Sequence, residues 1–586
     1  MDLANLSRPQ KSRYAASGSL TIDGETFAAH RRLPRLDGLT RVEQRHAALL
    51  YGGILLLTAV VLRMTGMAGE NFWHDEVTML NIGLGGWNQI VDQFLLTGRP
   101  PVFGLLASMW TTLFGTGEVI SRIPSYMAGV LSIAVLFQLG SLIVNQRVGL
   151  LAALVMTLSE FHIYYGQTYR YYAFYVLFVL LSFLFFYLLL VCPRRLHDVL
   201  YILFTALTFY THPHGLFAIA SQGIFFVIML AINPLWRNRR TAVRCIALQL
   251  VVLVIIFPGL WESILAGLLA QSAPADTSGM TAGDSDVGLS WLQEPTVGSI
   301  LRALSRFVFF KWQYFNPHGV LTAFVFVLLG TAYYRRRIGA SQWSETARQL
   351  PVKIAKMAQR RLQAWVFLVC WLGGMLMFPW VLSFIVVPLF YDRYVLGASP
   401  AFYLILATIV FGVRRIVPVR VTVLAFIALL APGLLMYYTL PDNEQWRDLA
   451  SYVHAQAQPG DAIIVLTTKV HLAQPLEAFN WYYPDSATCD VYEDNLGDLA
   501  TVDELRDCIA DSRRIWLVAL RWEGDFDGLS GNGLSGSLVE FFNAYDNGYW
   551  QLTQVMEGTP FYLLGLYLYE LKSENIGAVS STTVKE

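Results

Sequence analysis

Long apolar runs dominate the chain, and their spacing sets the first expectation. A membrane-spanning helix needs about 20 mostly apolar residues. Runs near 48–66, 123–144, 148–164, 170–191, 199–212, 216–232, 243–260, 318–334, 364–387, 395–413 and 419–440 meet or approach that length. They predict about eleven spans, of which the third and fifth are short. A short or interrupted span is tolerated where it lines a cavity within the protein.

The segments between these runs alternate in charge. "HRRLPRLDGLTRVEQRH", "NQR", "CPRRLHD", "NPLWRNRRTAVR", "YYRRRIGASQ" and "VRRIVPVR" are basic. The alternate segments carry Glu70, Asp75, Glu76, Asp92 and Glu118, then Glu262, Asp276, Asp284, Asp286 and Glu294, with few cations. Lys and Arg favour the cytoplasmic side of a bilayer. The bias therefore predicts a cytoplasmic N-terminal tail over 1–45, a transmembrane unit over 46–440, and external loops at 67–121 and 261–317. An odd number of spans leaves residues 441–586 on the outer face.

That last stretch changes character. "WRDLASYVHAQAQPGDAIIVL" reads as an amphipathic helix, a Pro-Gly turn and a buried strand. "RRIWLVAL" reads as a second strand, "GYWQLTQVMEGTPFYLLGLYLYEL" as two more, and "TVDELRDCIADS" as a helix. The expectation is an extracytoplasmic α/β domain long enough for its own core.

Composition agrees with a membrane protein. Of 586 residues, 55% are hydrophobic and 14% charged, against about a quarter charged in ordinary soluble domains. The formal net charge of +0 gives no electrostatic footprint for nucleic acid. The opening "MDLANLSRPQKSRYAASG" lacks the apolar core of a cleavable signal, so the first apolar run is expected to stay as a span. Cys192, Cys245 and Cys370 lie in or beside apolar runs, whereas Cys489 and Cys508 lie in the polar tail. Outside the cytoplasm, a Cys489–Cys508 disulfide is the expectation.

Ionisable residues at membrane depth are costly and mark candidate sites. Here they gather at the outer ends of spans. His74, Asp75 and Glu76 follow the first span in "GENFWHDEVTML", and Arg99 stands in "TGRPPVFGLL". Gln167 and Arg170 mark the turn "YYGQTYRYYAFYV", and His212 and His214 the turn "YTHPHGLF". Arg306, Lys311 and Tyr314 precede the eighth span, and Asp392, Arg393 and Tyr394 lie in "LFYDRYVLGASP". Acids, cations and tyrosines at one membrane face suit a substrate with an anionic head, a sugar and an apolar tail. Arg and Lys neutralise phosphate, aromatic rings stack on sugars, and Asp75 could take a proton from an attacking hydroxyl. Each cation also has a bland reading as a snorkelling side chain near a span end. Asp392 beside Arg393 could be a neutralising pair, and the two histidines could serve hydrogen bonding or aromatic packing.

These segments, in this order, resemble the GT-C glycosyltransferases that use polyprenyl-phosphate-linked sugars. Within them the chain is similar to the group holding protein O-mannosyltransferases and the bacterial aminoarabinose transferase of lipid A. "FWHDE" resembles the family's external-loop Asp-Glu, "GRPPVFGLLASMW" its basic Pro-Pro segment, and "SRIPSYMAG" its Arg-hydrophobic-Pro-Ser opening of a span. "DRYVLGASPAFYLILA" resembles a late-span Arg-Tyr segment, and "WRDLASYVHAQAQPGD" the opening of the periplasmic domain in bacterial members.

The resemblance implies a GT-C fold and inverting transfer of a sugar from a polyprenyl-phosphate donor. The acceptor would be a glycolipid, a cell-surface polysaccharide or a protein at the outer face of a bacterial inner membrane. It implies Asp75 as base, with Glu76 and His74 orienting it or touching the acceptor. Arg99, Arg393, Tyr394, Arg170 and Lys311 would meet the donor phosphate, and His212, His214 and Tyr314 the acceptor or sugar. No cofactor is required; His74, Asp75, Glu76, His212 and His214 are the side chains that could ligate a divalent metal. "RPP" carries Arg where many relatives have His or Lys, which keeps charge and changes geometry. The rival readings are a transporter or flippase for a lipid-linked glycan, and a non-catalytic subunit that binds one. Transporters often show internal repeats and midplane polar sites, which this sequence does not.

Overall fold

The computed structural model describes residues 41–232, 239–272, 294–309, 352–386, 388–412, 418–440, 443–467, 474–484, 488–492, 508–509, 512–520, 550–557 and 564–571. The eighth expected span, most of the 261–317 loop, Lys311, Tyr314 and most of the helix expected over 501–512 lie outside them. Met1–Leu50 and Tyr51–Glu586 form two compact units. Of the first, the described part is the opening of helix α1, Arg41–Met64; every other described residue lies in the second.

The expected spans appear as helices. They are α1, α5 (Glu118–Ile143), α6 (Gln146–Leu158) continued by α7 (Glu160–Gln167), α8 (Tyr172–Val191) and α9 (Arg195–Thr211). Next come α10 (Gly215–Ile232), α11 (Arg239–Ser272), α13 (Val352–Leu382), α14 (Ser399–Gly412) and α15 (Val419–Thr439). Six of these helices are long and apolar enough to cross a membrane alone, and the bent α6–α7 pair passes together. The chain is a multi-pass helical membrane protein.

The third expected span is the broken one, bent by 63° between Leu158 and Glu160. Ser159 takes an extended backbone there, and its hydroxyl accepts the His162 N–H while donating to the Phe307 carbonyl at 2.7 Å. The break leaves the last carbonyls of α6 without helical partners. Arg63, fully buried near the end of α1, donates to the Met156 and Thr157 carbonyls at 3.1 and 3.3 Å. A cation at a helix C-terminus is also favoured by the helix dipole.

The first loop, which the charge pattern predicts to be external and to which it assigned no elements, is helical. It holds α2 (His74–Leu84), α3 (Gly86–Thr97) and α4 (Pro101–Phe114). Gly86 and Gly98 adopt left-handed φ of 79° and 67° at the joints, a conformation glycine enters without strain. Pro101 opens α4 where its missing N–H costs nothing. Between α11 and α13 lies the short helix α12 (Val297–Arg306).

The C-terminal part is α/β, as expected. Helix α16 (Trp446–Gln456) leads into β1 (Ala462–Thr467), followed by α17 (Gln474–Tyr482), β2 (Thr488–Tyr492), β3 (Arg514–Leu520), β4 (Trp550–Glu557) and β5 (Leu564–Leu571). The sheet order is β2-β1-β3-β5-β4, with β1 parallel to both neighbours and β5 antiparallel to β3 and β4. The sequence pattern predicts α16, β1, β3, β4 and β5 but neither α17 nor β2. The expected separate core is in fact shared: Trp446, Leu449, Ile463, Val465, Trp516 and Val518 pack in one cluster with Phe72, Val77 and Leu80 of the first loop. Cys508 is disulfide-bonded and Cys192, Cys245 and Cys370 are free; the Cys489 side chain lies outside the described residues.

Helices α5 and α6 approach at Gly140 and Gly149. A Cβ on Gly149 would fall 2.5 Å from the Phe137 carbonyl oxygen, and one on Gly140 2.8 Å from the Gly149 Cα. Small residues let helix backbones meet this closely in membranes. Gly149→Ala is expected to cost ~1–3 kcal/mol by overpacking, read as a lower thermal midpoint of the detergent-purified protein. An unchanged midpoint would place the two helices farther apart than described.

Candidate active site

The site begins with the entry into α2. Trp73 is its N-cap in extended conformation, so His74, Asp75 and Glu76 are its first three residues. Acids in a first turn are favoured by the exposed N–H groups and the dipole, which is one physical reason for the helix to start at "HDE". Successive helical residues point about 100° apart, so the three side chains leave in different directions and meet different partners.

Glu76 is fully buried and grips Arg122 of α5. Arg122 Nε donates to Glu76 Oε1 at 2.9 Å and Nη2 to Oε2 at 2.6 Å. The remaining guanidinium N–H groups reach the carbonyls of Met67, Glu70 and Asn71. Glu76 Oε1 also accepts the Tyr169 N–H at 2.5 Å, and Oε2 the Trp73 N–H at 3.4 Å. The expectation of a Glu76 contact with an acceptor is therefore corrected: both its oxygens are used inside the fold.

His74 turns toward the C-terminal part. Its Nδ1 lies 2.7 and 2.9 Å from the two oxygens of Glu444, and its backbone N–H donates to Glu444 Oε2 at 3.2 Å. Trp446 Nε1 donates to the same Oε2 at 2.7 Å. Burial alone would lower the His74 pKa; the Glu444 carboxylate outweighs it and holds the imidazole above its ordinary value. Burial raises Glu444 in turn, and the His74 charge and hydrogen bonds bring it below the ordinary carboxylate range.

Asp75 points to a third place. Arg170 Nη1 lies 3.2 Å from its Oδ1 and donates to its backbone carbonyl at 3.0 Å. Arg393 Nη1 lies 3.9 Å from its Oδ2. Two guanidinium groups thus face one carboxylate. Around them stand aromatic rings: Arg170 lies 5.1 Å from the Tyr171 ring centre and 5.9 Å from that of Tyr172, and Arg393 lies 5.1 and 5.6 Å from those of Tyr391 and Tyr394. Ring faces attract such cations, more so where water is excluded. The buried Arg170 Nε has no hydrogen-bond acceptor.

His212 closes this enclosure, its ring 5.0 to 5.4 Å from those of Tyr171, Tyr175 and Tyr394. His214 packs on His212 and Tyr394 at 4.8 and 5.4 Å, and its Nε2 donates to the Leu389 carbonyl at 2.9 Å. Asp392 pairs with Arg306 at 3.2 Å. Arg99 is half-buried at the entry to α4, where its charge acts on Glu477 of α17. The structure therefore brings together Asp75, Arg170, Arg393, Tyr394, His212 and His214. It directs Glu76 and His74 to structural partners.

Among the described residues, no three His, Cys, Asp or Glu side chains form a metal cluster. The candidate ligands do not fit one: His74 is committed to Glu444, Glu76 to Arg122 and His214 Nε2 to a carbonyl. A small cavity with room for water-sized groups, about 10 Å³, lies beside Glu70, Arg122, Gln167 and Thr168 and not at Asp75. Sequence reasoning missed Arg63 and Glu444, whose only signal was a charge inside or flanking an apolar run, and it noted Arg122 only as the arginine of "SRIPSYMAG", without a partner.

Removing one partner of a buried ion pair leaves an uncompensated charge and costs roughly 3–5 kcal/mol. Arg122→Met should therefore lower the thermal midpoint sharply, and Glu76→Gln combined with Arg122→Met should lose less than the two single losses added together. Additive losses would show that the two side chains do not form the pair described.

A family model described as "Dolichyl-phosphate-mannose-protein mannosyltransferase" matches residues 98–261, the stretch from Gly98 to Trp261 within α11. Comparison with curated protein sequences yields no match. Among solved structures, the Archaeoglobus fulgidus oligosaccharyltransferase in the apo form is similar at TM-score 0.47 and 12% identity, over 80% of this chain and 69% of that one. AglB from the same archaeon, in complex with an inhibitory peptide and a dolichol-phosphate, is similar at 0.46 and 12%, over 91% and 75%. ArnT from Cupriavidus metallidurans bound to undecaprenyl phosphate is similar at 0.40 and 13%, over 91% and 98%. Over those residues, under a third of the chain, the family match agrees with the resemblance to the protein O-mannosyltransferase group.

Proposed function

We propose that the protein is an inverting glycosyltransferase that moves a sugar from a polyprenyl-phosphate donor to a hydroxyl-bearing glycolipid, polysaccharide or protein, at the outer face of the membrane. The observation that carries this reading is the Asp75 carboxylate held between Arg170 and Arg393 inside a wall of tyrosine and histidine rings. Guanidinium groups bind phosphate through charged hydrogen bonds, and the buried Arg170 Nε is a donor with no acceptor. The aromatic rings offer faces for a sugar.

In the proposed reaction the acceptor oxygen attacks the anomeric carbon from the side opposite the phosphate. Its proton passes to Asp75 as the new C–O bond forms. The bond from the anomeric carbon to the phosphate oxygen breaks, and polyprenyl phosphate leaves with that electron pair. Arg170 and Arg393 stabilise the charge that grows on the leaving oxygen. The configuration at the anomeric carbon inverts. Arg99, Lys311 and Tyr314 remain candidates for further contacts with the donor or acceptor, on the strength of the family resemblance alone.

Asp75→Asn tests the base. Transfer from radiolabelled undecaprenyl-phosphate hexoses or pentoses should fall by roughly 10²–10⁴, with undecaprenyl phosphate binding kept or tightened because the arginines lose a competing carboxylate. Full transfer in a clean Asp75→Asn protein refutes the base. Binding without release of undecaprenyl phosphate in the unaltered protein would instead favour a carrier.

Arg393→Ala removes one charged hydrogen-bond donor, worth about 1.5–3 kcal/mol. The Kd for undecaprenyl phosphate should rise roughly tenfold to a hundredfold. An unchanged Kd takes Arg393 out of the site.

A further inference from the structure

The His74–Glu444 pair joins two parts of the chain separated by 370 positions, and the proposed chemistry makes no use of it. Glu444 precedes α16 and is buried. Its carboxylate receives the His74 ring N–H, the His74 backbone N–H and the Trp446 indole N–H. The backbone contact is the important one: His74 is the first residue of α2 and Asp75 the second. A carboxylate that binds both the main chain and the side chain of the first residue fixes the start of the helix and its rotation about its own axis. Rotation of α2 decides whether Asp75 faces Arg170.

The second anchor of that helix start is the Glu76–Arg122 pair on the third residue. One anchor comes from α5 and the other from the C-terminal part, and the Asp75 side chain leaves between them. We propose that Glu444 is a positioning residue for Asp75, acting through its contacts with His74, so that the C-terminal part completes the active centre. This rests on the proposed role of Asp75 as the base.

The charged groups facing the His74 ring are Glu444, Asp75 of its own helix, and Arg170 from the turn before α8. Glu444 and Asp75 favour the imidazolium; burial and Arg170 oppose it. A histidine whose pKa is raised in the folded state keeps its ion pair at low pH and loses it as pH rises through that raised value. Glu444, held below its ordinary range, keeps its charge until pH falls beneath that range. The pair therefore spans mildly acidic to neutral pH, and activity that depends on it declines on the alkaline side.

Glu444→Gln keeps the shape and removes the charge. With burial and Arg170 then unopposed by Glu444, the His74 ring should titrate lower. In release of undecaprenyl phosphate from the undecaprenyl-phosphate sugar that the protein turns over, the alkaline limb of the kcat profile should move down by at least about one pH unit. The value of kcat near neutrality should drop roughly tenfold or more, as expected for a misplaced reacting group, while KM for the lipid-linked sugar stays within about twofold. Tyr482→Phe is the control for mere attachment. It loosens the same C-terminal part from Glu118 of α5 and from the Phe72 N–H while leaving every Glu444–His74 contact in place, and should lower the thermal midpoint without moving the limb. A limb in Glu444→Gln that coincides with the wild type overturns the proposal.

Should Glu444→Gln fail to fold, His74→Gln/Glu444→Gln leaves no unpaired buried charge and is compared with His74→Gln alone. The amide oxygen at position 444 still accepts the residue 74 backbone N–H in the double variant, so equal kcat in the two supports action through the His74 ring; a further loss in the double variant overturns it. Asp75→Asn, run beside them, reads the enzyme assignment separately, because its loss of transfer stands whether or not the Glu444 variants move the limb.

Discussion

The fully buried ion pair between Glu76 and Arg122 is the constraint around which this end of the molecule is built. Taking two charges out of water costs several kcal/mol per ion, and attraction offsets that only with close geometry and every remaining donor satisfied. Here all the guanidinium N–H groups have acceptors, three of them main-chain carbonyls of the link between α1 and α2. The link is thereby wrapped around one side chain. Because Glu76 must face Arg122 and the Tyr169 amide, its neighbour Asp75 is turned toward Arg170 and Arg393. Two adjacent carboxylates that look equivalent in the sequence thus acquire opposite roles, one sealed in the fold and one presented to the candidate site.

A second set of contacts carries that order outward. Tyr482 of α17 accepts the Phe72 N–H at 2.8 Å and donates to Glu118 at 2.6 Å, and Arg447 of α16 meets Glu118 at 2.8 Å. Burial pushes the Tyr482 phenol well above its ordinary value, and Glu118 reinforces the shift, so it remains a donor. Phe72 packs edge-on to Trp481 at 6.1 Å. The apolar cluster shared by the sheet and the first loop packs beside these part-buried polar contacts. The helical bundle supplies depth in the membrane, while the α/β part supplies the pose of the loop.

How much of this was legible depends on what is local in a chain. Span positions were read within a few residues because apolar length and Lys/Arg bias are local properties. The break at Ser159 was visible only as a short third run. The helices of the first loop were missed because their signals, the acids at 75 and 76 and the glycines at 85, 86 and 98, are punctuation without a long apolar run. Helix α17 was missed because "QPLEAFNWYY" is short and aromatic. The site was legible as an inventory of residues and not as a set of pairs. Sequence adjacency suggested Asp392 with Arg393; it gave no hint of the pairs Asp392 makes with Arg306 and Arg393 with Asp75. Glu444 was invisible because its partner lies 370 positions away.

The pairing that did emerge poses a physical conflict within the proposed mechanism. Arginines shielded from water are strong phosphate ligands, yet shielding them without a counter-ion would cost more than the fold could sustain. Asp75 meets that cost by lying against both. A carboxylate held by two cations is stabilised in its ionised form and is a poor proton acceptor. The conflict resolves if an arriving phosphate takes over the guanidinium groups. The carboxylate is then released from its cations and left to the acceptor hydroxyl. Proton acceptance would thereby be coupled to occupancy by the same two arginines that bind the leaving group, with the aromatic walls keeping water away from the exchange.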